Sequence, residues 1–382
     1  MLRRLFAVAA VAGGLLFFRG GVSGESPAAL EALPETDEAS GFEVLRRTQP
    51  PALLSVRTLV VLATFEGVAP PTLTEPFVRE TVFGAVDEYY REQSYGRLGF
   101  EGDIQPWVSL PIEPTCSVAD VRRAALPLID ANWDFRTFET VVLVAPYGAC
   151  GWAGLGSRFP ETVSTAEGAV ELLFAYINAA QFTPHLVAHE LGHTLGSHHS
   201  GFLNCGVVTF ASSGCSISEY GDYFDVMGRG QPLRHWNAIH KLRAGWFDDQ
   251  RRVETVAHSG VFSVTPFETA TPGIKALRIP RPDGNDLFVE YRQPIGFDAG
   301  MDQGGFSDVF QGVLLHIPGG FRKTLLLDPT PPAEPHRAAL TPGRPFIDPL
   351  TGTRVVVLRA QPETLEVSVT LPVRHQGTYD LQ

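Results

Sequence analysis

Residues 189–199 read His-Glu-Leu-Gly-His-Thr-Leu-Gly-Ser-His-His. Two histidines four residues apart share one face of an α-helix, where both imidazoles can reach a single ion with Glu190 standing beside it. Gly196 has no Cβ, so the chain can leave that helix through a left-handed turn and bring His199 back onto the same ion. Three neutral nitrogen donors leave a fourth tetrahedral position open to water, which a catalytic zinc site needs and a structural one lacks. The chemistry implied is hydrolysis. Zinc acidifies the water, and Glu190, as general base, takes its proton and can pass it to a leaving amine. Two other ligand sets compete. His198 adjoins His199 but departs from the spacing. Glu219 would serve if this were the helix-plus-Glu arrangement of another zinc peptidase clan, a reading that Gly196 and His199 weigh against.

Downstream, residues 219–228 read Glu-Tyr-Gly-Asp-Tyr-Phe-Asp-Val-Met-Gly. A Met in a tight turn at this distance from a zinc helix has the form of the Met-turn of the metzincins, and the Met227 thioether would lay a soft apolar floor under the histidines. With these residues the chain resembles the gametolysin-like metzincin zinc peptidases and, more distantly, the immune-inhibitor-A type secreted metallopeptidases. The resemblance is carried by the zinc helix, the run 220–228, Asn-Ala-Ile-His-Lys at 237–241 and Gly245-Trp246. Further matching stretches are Tyr-Arg-Glu-Gln-Ser-Tyr-Gly at 90–96, Cys-Gly-Trp-Ala-Gly at 150–154, Glu-Tyr-Arg-Gln-Pro at 290–294 and residues 339–353. It spans about 56–370 and is strongest over 185–246. It implies zinc ligands His189, His193 and His199, a base at Glu190, a Met-turn at Met227 and a protein or peptide substrate. It also implies an edge strand just before the zinc helix, where a substrate backbone can pair. One departure is Arg229, at a place where some metzincins carry a Tyr that serves the metal or the transition state. The donor to the oxyanion is thus open among Arg229, Tyr220, Tyr223 and His198, or zinc alone suffices, with ordinary packing as the alternative for each tyrosine.

The N-terminus sets the compartment. Met1-Leu2-Arg3-Arg4 is a basic start, 5–18 is apolar, and Val22-Ser23-Gly24 offers small residues for cleavage, so 1–24 reads as a signal peptide. The apolar stretch falls short of the about 20 residues a membrane-spanning helix needs, and no stable span is expected once the signal is removed. The expectation is a secreted protein, extracellular or periplasmic. The four cysteines agree. Of the three connectivities they allow, Cys205–Cys215 with Cys116–Cys150 is the preferred one, since the first would tie the loop between the zinc helix and the Met-turn. A net charge of −12 argues against a nucleic-acid partner, which clustered Lys and Arg would have to bind.

The elements that must position the site follow from pattern. Residues 25–52 are polar and without apolar period, a linker or short pro-segment. Residues 53–250 read as the zinc peptidase domain. Strands are expected at 56–65, 97–104 and 140–145 and helices at 75–94 and 118–131, the latter kinked or ended by Pro127, while the apolar run 170–177 suits helix or strand and the resemblance implies strand. Thr183 and Pro184 suit the N-cap and first turn of the zinc helix, and a further helix is expected at 235–244. From 251 to 382, strands at 260–265, 275–279, 287–291, 312–317, 353–358 and 364–371 lie between Pro and Gly breaks. The fold class is therefore α/β (α+β): a metzincin-like catalytic domain with a mixed twisted sheet, followed by an all-β domain of sandwich type. A competing function places the main activity in that β domain, as a surface- or glycan-binding module with the zinc domain accessory.

Overall fold

The computed structural model describes residues 54–372 apart from 149, 212, 248–251 and 333–334. The expected signal at 1–24 and the segment 25–52 lie outside the described residues. The first layer is a 6-stranded sheet. Its strands are β1 (Leu54–Thr64), β2 (Leu98–Ser109), β3 (Thr140–Ala145), β4 (Gly154–Gly156), β5 (Glu161–Thr165) and β6 (Gly168–Asn178). The order is β2-β1-β3-β6-β4, with β5 also beside β6. The first four neighbours run parallel, and β4 and β5 run antiparallel to β6.

Both faces of this sheet are covered, and β1 shows why it is apolar almost throughout. Val56, Val60 and Leu62 point to one core, while Leu59, Val61 and Ala63 point to the other, as the two-residue strand period requires. The first core is closed by the helical run 75–93 and by α4 (Pro184–Thr194). The 75–93 run is α1 (Glu75–Glu80) and α2 (Asp87–Gln93), joined through a π-type stretch at Thr81–Val86. The second core is closed by α3 (Val118–Ile129), which accommodates Pro127 and passes into a 3-10 turn at Asp130–Asn132.

The strand before the motif helix is not an edge, contrary to expectation. β6 has β3 on one side and β4 and β5 on the other, and the open edge belongs to β4. Residues 154–165 are broken by Gly154, Gly156 and Pro160, so no strand period is visible there. These short strands exist because β6 offers them a backbone ladder.

The remaining strands form two more sheets. After α4 come β7 (Ser200–Asn204), β8 (Ser216–Ser218) and α5 (Ala238–Arg243). They are followed by β9 (Val253–Thr255), β10 (Gly260–Val264), β11 (Ala276–Ile279), β12 (Leu287–Glu290), β13 (Val313–Pro318), β14 (Thr324–Leu327), β15 (Ala339–Leu340), β16 (Pro345–Ile347), β17 (Arg354–Gln361) and β18 (Thr364–Thr370). An 8-stranded sheet runs β8-β7-β14-β13-β12-β11-β9 with β15 on β13, and a 4-stranded sheet runs β10-β18-β17-β16. Residues of both, among them Leu277, Val289, Leu315, Val355 and Val367, share one core. β7, from the segment just after the motif helix, pairs parallel with β14, so this sheet takes strands from both sides of residue 250.

α5 is shorter than the 235–244 periodicity suggests, because Asn237 caps it. Its Oδ1 accepts from the Ile239 and His240 N–H groups at 3.1 Å each. Disulfides join Cys116 to Cys150 and Cys205 to Cys215. Among the described residues no helix is long and apolar enough to cross a membrane.

Candidate metal centre

The motif helix begins at Thr183, whose Oγ1 accepts from the Leu186 N–H at 3.2 Å, and Pro184 fills its first turn. It ends where Gly196 turns left-handed at φ +86°. That exit brings His199 to the two helix histidines, and one ring nitrogen each of His189, His193 and His199 lies within 4.8 Å of the others. The opposite nitrogens are all engaged. His189 Nδ1 donates to the Val226 carbonyl at 2.9 Å, His193 Nδ1 to the Ser197 carbonyl at 2.9 Å, and His199 Nδ1 to Glu219 Oε1 at 2.8 Å. Each bond fixes a tautomer with the proton on Nδ1 and leaves an Nε2 lone pair free toward the common point. Burial pushes His189 well down and His193 to about 3, and lowers His199 against the opposing Glu219. Neutral imidazoles are what a metal ion requires. This donor set fits a metal ion.

A second cluster, His198, His199 and Glu219, is equally close. His198 Nδ1, His199 Nδ1 and Glu219 Oε1 are already engaged. His198 Nδ1 accepts from the His199 backbone N–H at 2.6 Å, and Glu219 Oε1 receives both His199 and Lys323 Nζ, the latter at 2.9 Å. Burial alone would raise Glu219, but these two hydrogen bonds outweigh it and hold the carboxyl at about 2.

Glu190 is buried, and burial pushes it up to about 8. The open edge strand lies directly on it. A Cβ at Gly154 would fall 2.6 Å from Glu190 Cγ and Oε1, and one at Gly156 would fall 2.5 Å from the His193 Cβ. Only glycine lets β4 approach the motif helix this closely.

Below the histidines, Gly192 serves the same end. A Cβ there would lie 2.5 Å from the Met227 sulfur and 3.2 Å from both Trp236 and the Tyr90 hydroxyl. Met227, Trp236 and Tyr90 are all buried, and Trp236 stacks on Trp246 at 4.6 Å. The turn that carries Met227 is held by polar bonds. Asp225 Oδ1 accepts from the Met227 N–H at 2.8 Å. Asp225 Oδ2 accepts from the Asn237 N–H at 2.7 Å, Asn237 Nδ2 at 2.8 Å and His240 Nδ1 at 3.0 Å. Asn237 Nδ2 also reaches Ser200 Oγ and Thr324 Oγ1. Asn237 and His240, read from the sequence only as part of a resemblance, are thus the fasteners of the turn.

The upstream run at 90–96 does similar work. Tyr90 donates to the Ala188 carbonyl at 2.7 Å, Gln93 Oε1 accepts from the Trp236 N–H at 3.0 Å, and Glu92 Oε1 takes His235 Nε2 and the Phe297 N–H at 2.8 Å each.

The four candidate oxyanion donors separate. Tyr220 is at the centre, its ring 4.1 Å from His199 and 6.0 Å from His189, its hydroxyl pushed up to about 12 by burial and by Glu219 and Glu190. His198 packs edge-on against His199 at 4.6 Å and His193 at 6.0 Å. Arg229 and Tyr223 bond to each other at 3.3 Å, and the Tyr223 ring faces Phe306 and His336. Sequence reasoning passed over Arg158, Phe321, Arg322 and Lys323, which come to the site from the β4–β5 and β13–β14 connections. No local pattern marks them, since only the tertiary fold brings those connections to the histidines.

The profile described as Gametolysin peptidase M11 matches residues 57–281. The chain belongs to that family. Two solved structures show partial likeness. One, described as a chaperone–substrate complex, has 16% identity and a TM-score of 0.29, covering 49% of this chain and 29% of its own. The other, metalloproteinase-II from Bacteroides fragilis, has 13% identity and a TM-score of 0.32, covering 52% and 54%. This chain therefore spans about a third to a half of their lengths. No curated protein matches it.

Proposed function

We propose that the protein is a secreted zinc endopeptidase of metzincin type. His189, His193 and His199 hold the ion, and Glu190 is the general base. The observation that carries this reading is the set of three imidazoles, each anchored through Nδ1, converging beside a buried carboxylate. Zinc held by these three histidines would supply Lewis acidity toward the scissile carbonyl and would bring the pKa of a bound water down to about 7. Glu190, kept out of solvent under β4, receives the proton of the attacking water and delivers it to the amide nitrogen as the bond breaks. Glu219 orients His199, a carboxylate–histidine pairing that raises the basicity of the ligand. Tyr220, beside His199, is the best placed donor for the developing oxyanion. The open backbone edge of β4 offers the substrate a strand to pair with.

On this reading Met227 forms the Met-turn, and the peptidase half, 53–250, is backed by the β-rich half, 251–382, through the sheet to which both contribute strands. Export through a signal at 1–24 accords with two disulfides, which persist in oxidising compartments. The test is cleavage of an internally quenched peptide library by the purified protein. Activity lost to a chelator and restored by stoichiometric zinc is the expected result. Cleavage that a chelator leaves intact would refute the metal's role.

A further inference from the structure

The rim of the histidine cluster carries a cation, Arg158, that has no acidic partner among the described residues. Arg158 lies two residues beyond Gly156, the residue of β4 that abuts His193. Its guanidinium stacks over Phe321 at 4.7 Å, and that ring stands 6.1 Å from His198. Phe321 is 65% exposed and sits at the β13–β14 turn, where it and Arg322 both take left-handed backbone at φ 41° and 60°. Two successive non-glycine residues in that region are strained, and such strain concentrates where a ligand is met. Arg322 donates to the Gly196 carbonyl at 3.3 Å, fastening this turn to the end of the motif helix.

The carboxylates nearby are committed elsewhere. Glu219 is bound by His199 and Lys323, and Glu190 lies beneath β4. Among the described residues none forms an ion pair or hydrogen bond with Arg158, whereas Arg122 on the neighbouring helix pairs with Glu161. A chain of net charge −12 thus gathers Arg158, Arg322 and Lys323 around one cleft. A guanidinium set over an aromatic ring and unclaimed among the described residues is available to a bidentate carboxylate.

We infer that Arg158, stacked on Phe321, is a specificity-determining subsite for a carboxylate, so that the peptide cut here carries an Asp or Glu side chain, or a free terminal carboxylate, beside the scissile bond. This rests on the peptidase reading. It makes the substrates acidic peptides, held by a charge-assisted pair before the chemistry begins.

The test uses the full-length secreted chain and quenched peptide pools that carry Glu, Gln or Lys at each position in turn, with free or amidated C-termini. The wild type is expected to prefer a Glu pool over its Gln counterpart by roughly 10- to 100-fold in kcat/KM, mainly through KM, the worth of one charged hydrogen-bonded pair. Arg158→Gln should erase the preference, Arg158→Lys should keep part of it, and Arg158→Glu should turn it toward Lys. If the preference is for free over amidated ends, the bound group is the terminal carboxylate. A wild type indifferent to Glu, or a preference unchanged in Arg158→Gln, overturns the proposal. Anisotropy binding of the same pools to the Glu190→Ala protein separates this from a failure of the peptidase reading. There Glu peptides should bind more tightly in an Arg158-dependent way, and equal binding of Glu and Gln peptides overturns the inference whether or not any bond is cut.

Discussion

At the scale of residues, Gly192 determines how close the turn can come to the motif helix. The Met227 sulfur occupies the space a side chain at 192 would need. Gly192→Ala should therefore push Met227 or Trp236 off its rotamer and destabilise the fold by about 1–3 kcal/mol in denaturant unfolding, even though Ala is the better helix former. A stabilised variant would contradict the packing described. Glu219 accepts from His199 Nδ1, so on the proposed reading it would act on the ion through that ligand. Glu219→Gln is expected to weaken zinc binding by about 10- to 100-fold in competition with a chelator while leaving the other two histidines in place. Unchanged affinity would show that His199 needs no carboxylate behind it.

At the scale of elements, the motif helix was legible because its information is local: Thr183, Pro184, the His spacing and Gly196 are all within one short run. β1 and β3 were legible for the same reason, as apolar runs of strand length. β4, β5, β7 and β14 were not, since short strands such as Gly154–Gly156 take their existence from partners distant in sequence. β4 is therefore the edge where β6 was expected. The role of Asn237 was hidden likewise, because its contacts to Asp225, Ser200 and Thr324 join three separate segments. Asn237→Ala removes the α5 cap, a loss of about 0.5–2 kcal/mol, and leaves part of the Asp225 carboxylate unpaired on top of that. Thermal unfolding should show a larger loss than at Thr74, whose side chain caps α1 at an exposed site.

At the scale of the whole molecule, the two halves are joined by buried charge. Arg292 is buried between Glu290 at 2.9 Å and Asp298 at 2.7 Å and reaches the His235 and Trp236 carbonyls, while Glu290 also accepts from the Ala238 N–H at 2.6 Å. His316 meets Asp222 at 3.0 Å, and Asp222 binds Ser200 at 2.6 Å. A chain cut at residue 250 would lose these partners along with β14, and it should fail to show a cooperative unfolding transition. A cooperatively folded 54–250 fragment would contradict this coupling. The His316–Asp222 pair also sets a pH signature. Burial opposes both charges, yet Glu290 and Asp222 raise His316 above its ordinary 6.5, and the bonds from His316 and Ser200 lower Asp222 below its ordinary 3.8. The His316 contribution is complete below 6.5 and is lost as pH rises through its folded value. That of Asp222 is complete above 3.8 and is lost as pH falls through its own. The Tm gap between wild type and His316→Gln should thus be widest between those two values and narrow on either side. A gap that does not vary with pH would deny the charged pair.

The central claim is that three histidines hold the metal while Glu190 moves the proton. Zinc content and peptide cleavage measured on one preparation of Glu190→Gln test it most directly. The account predicts one zinc per chain, as in the wild type, with kcat lower by about 10²–10⁴-fold. Cleavage at the wild-type rate by the zinc-loaded variant would contradict it.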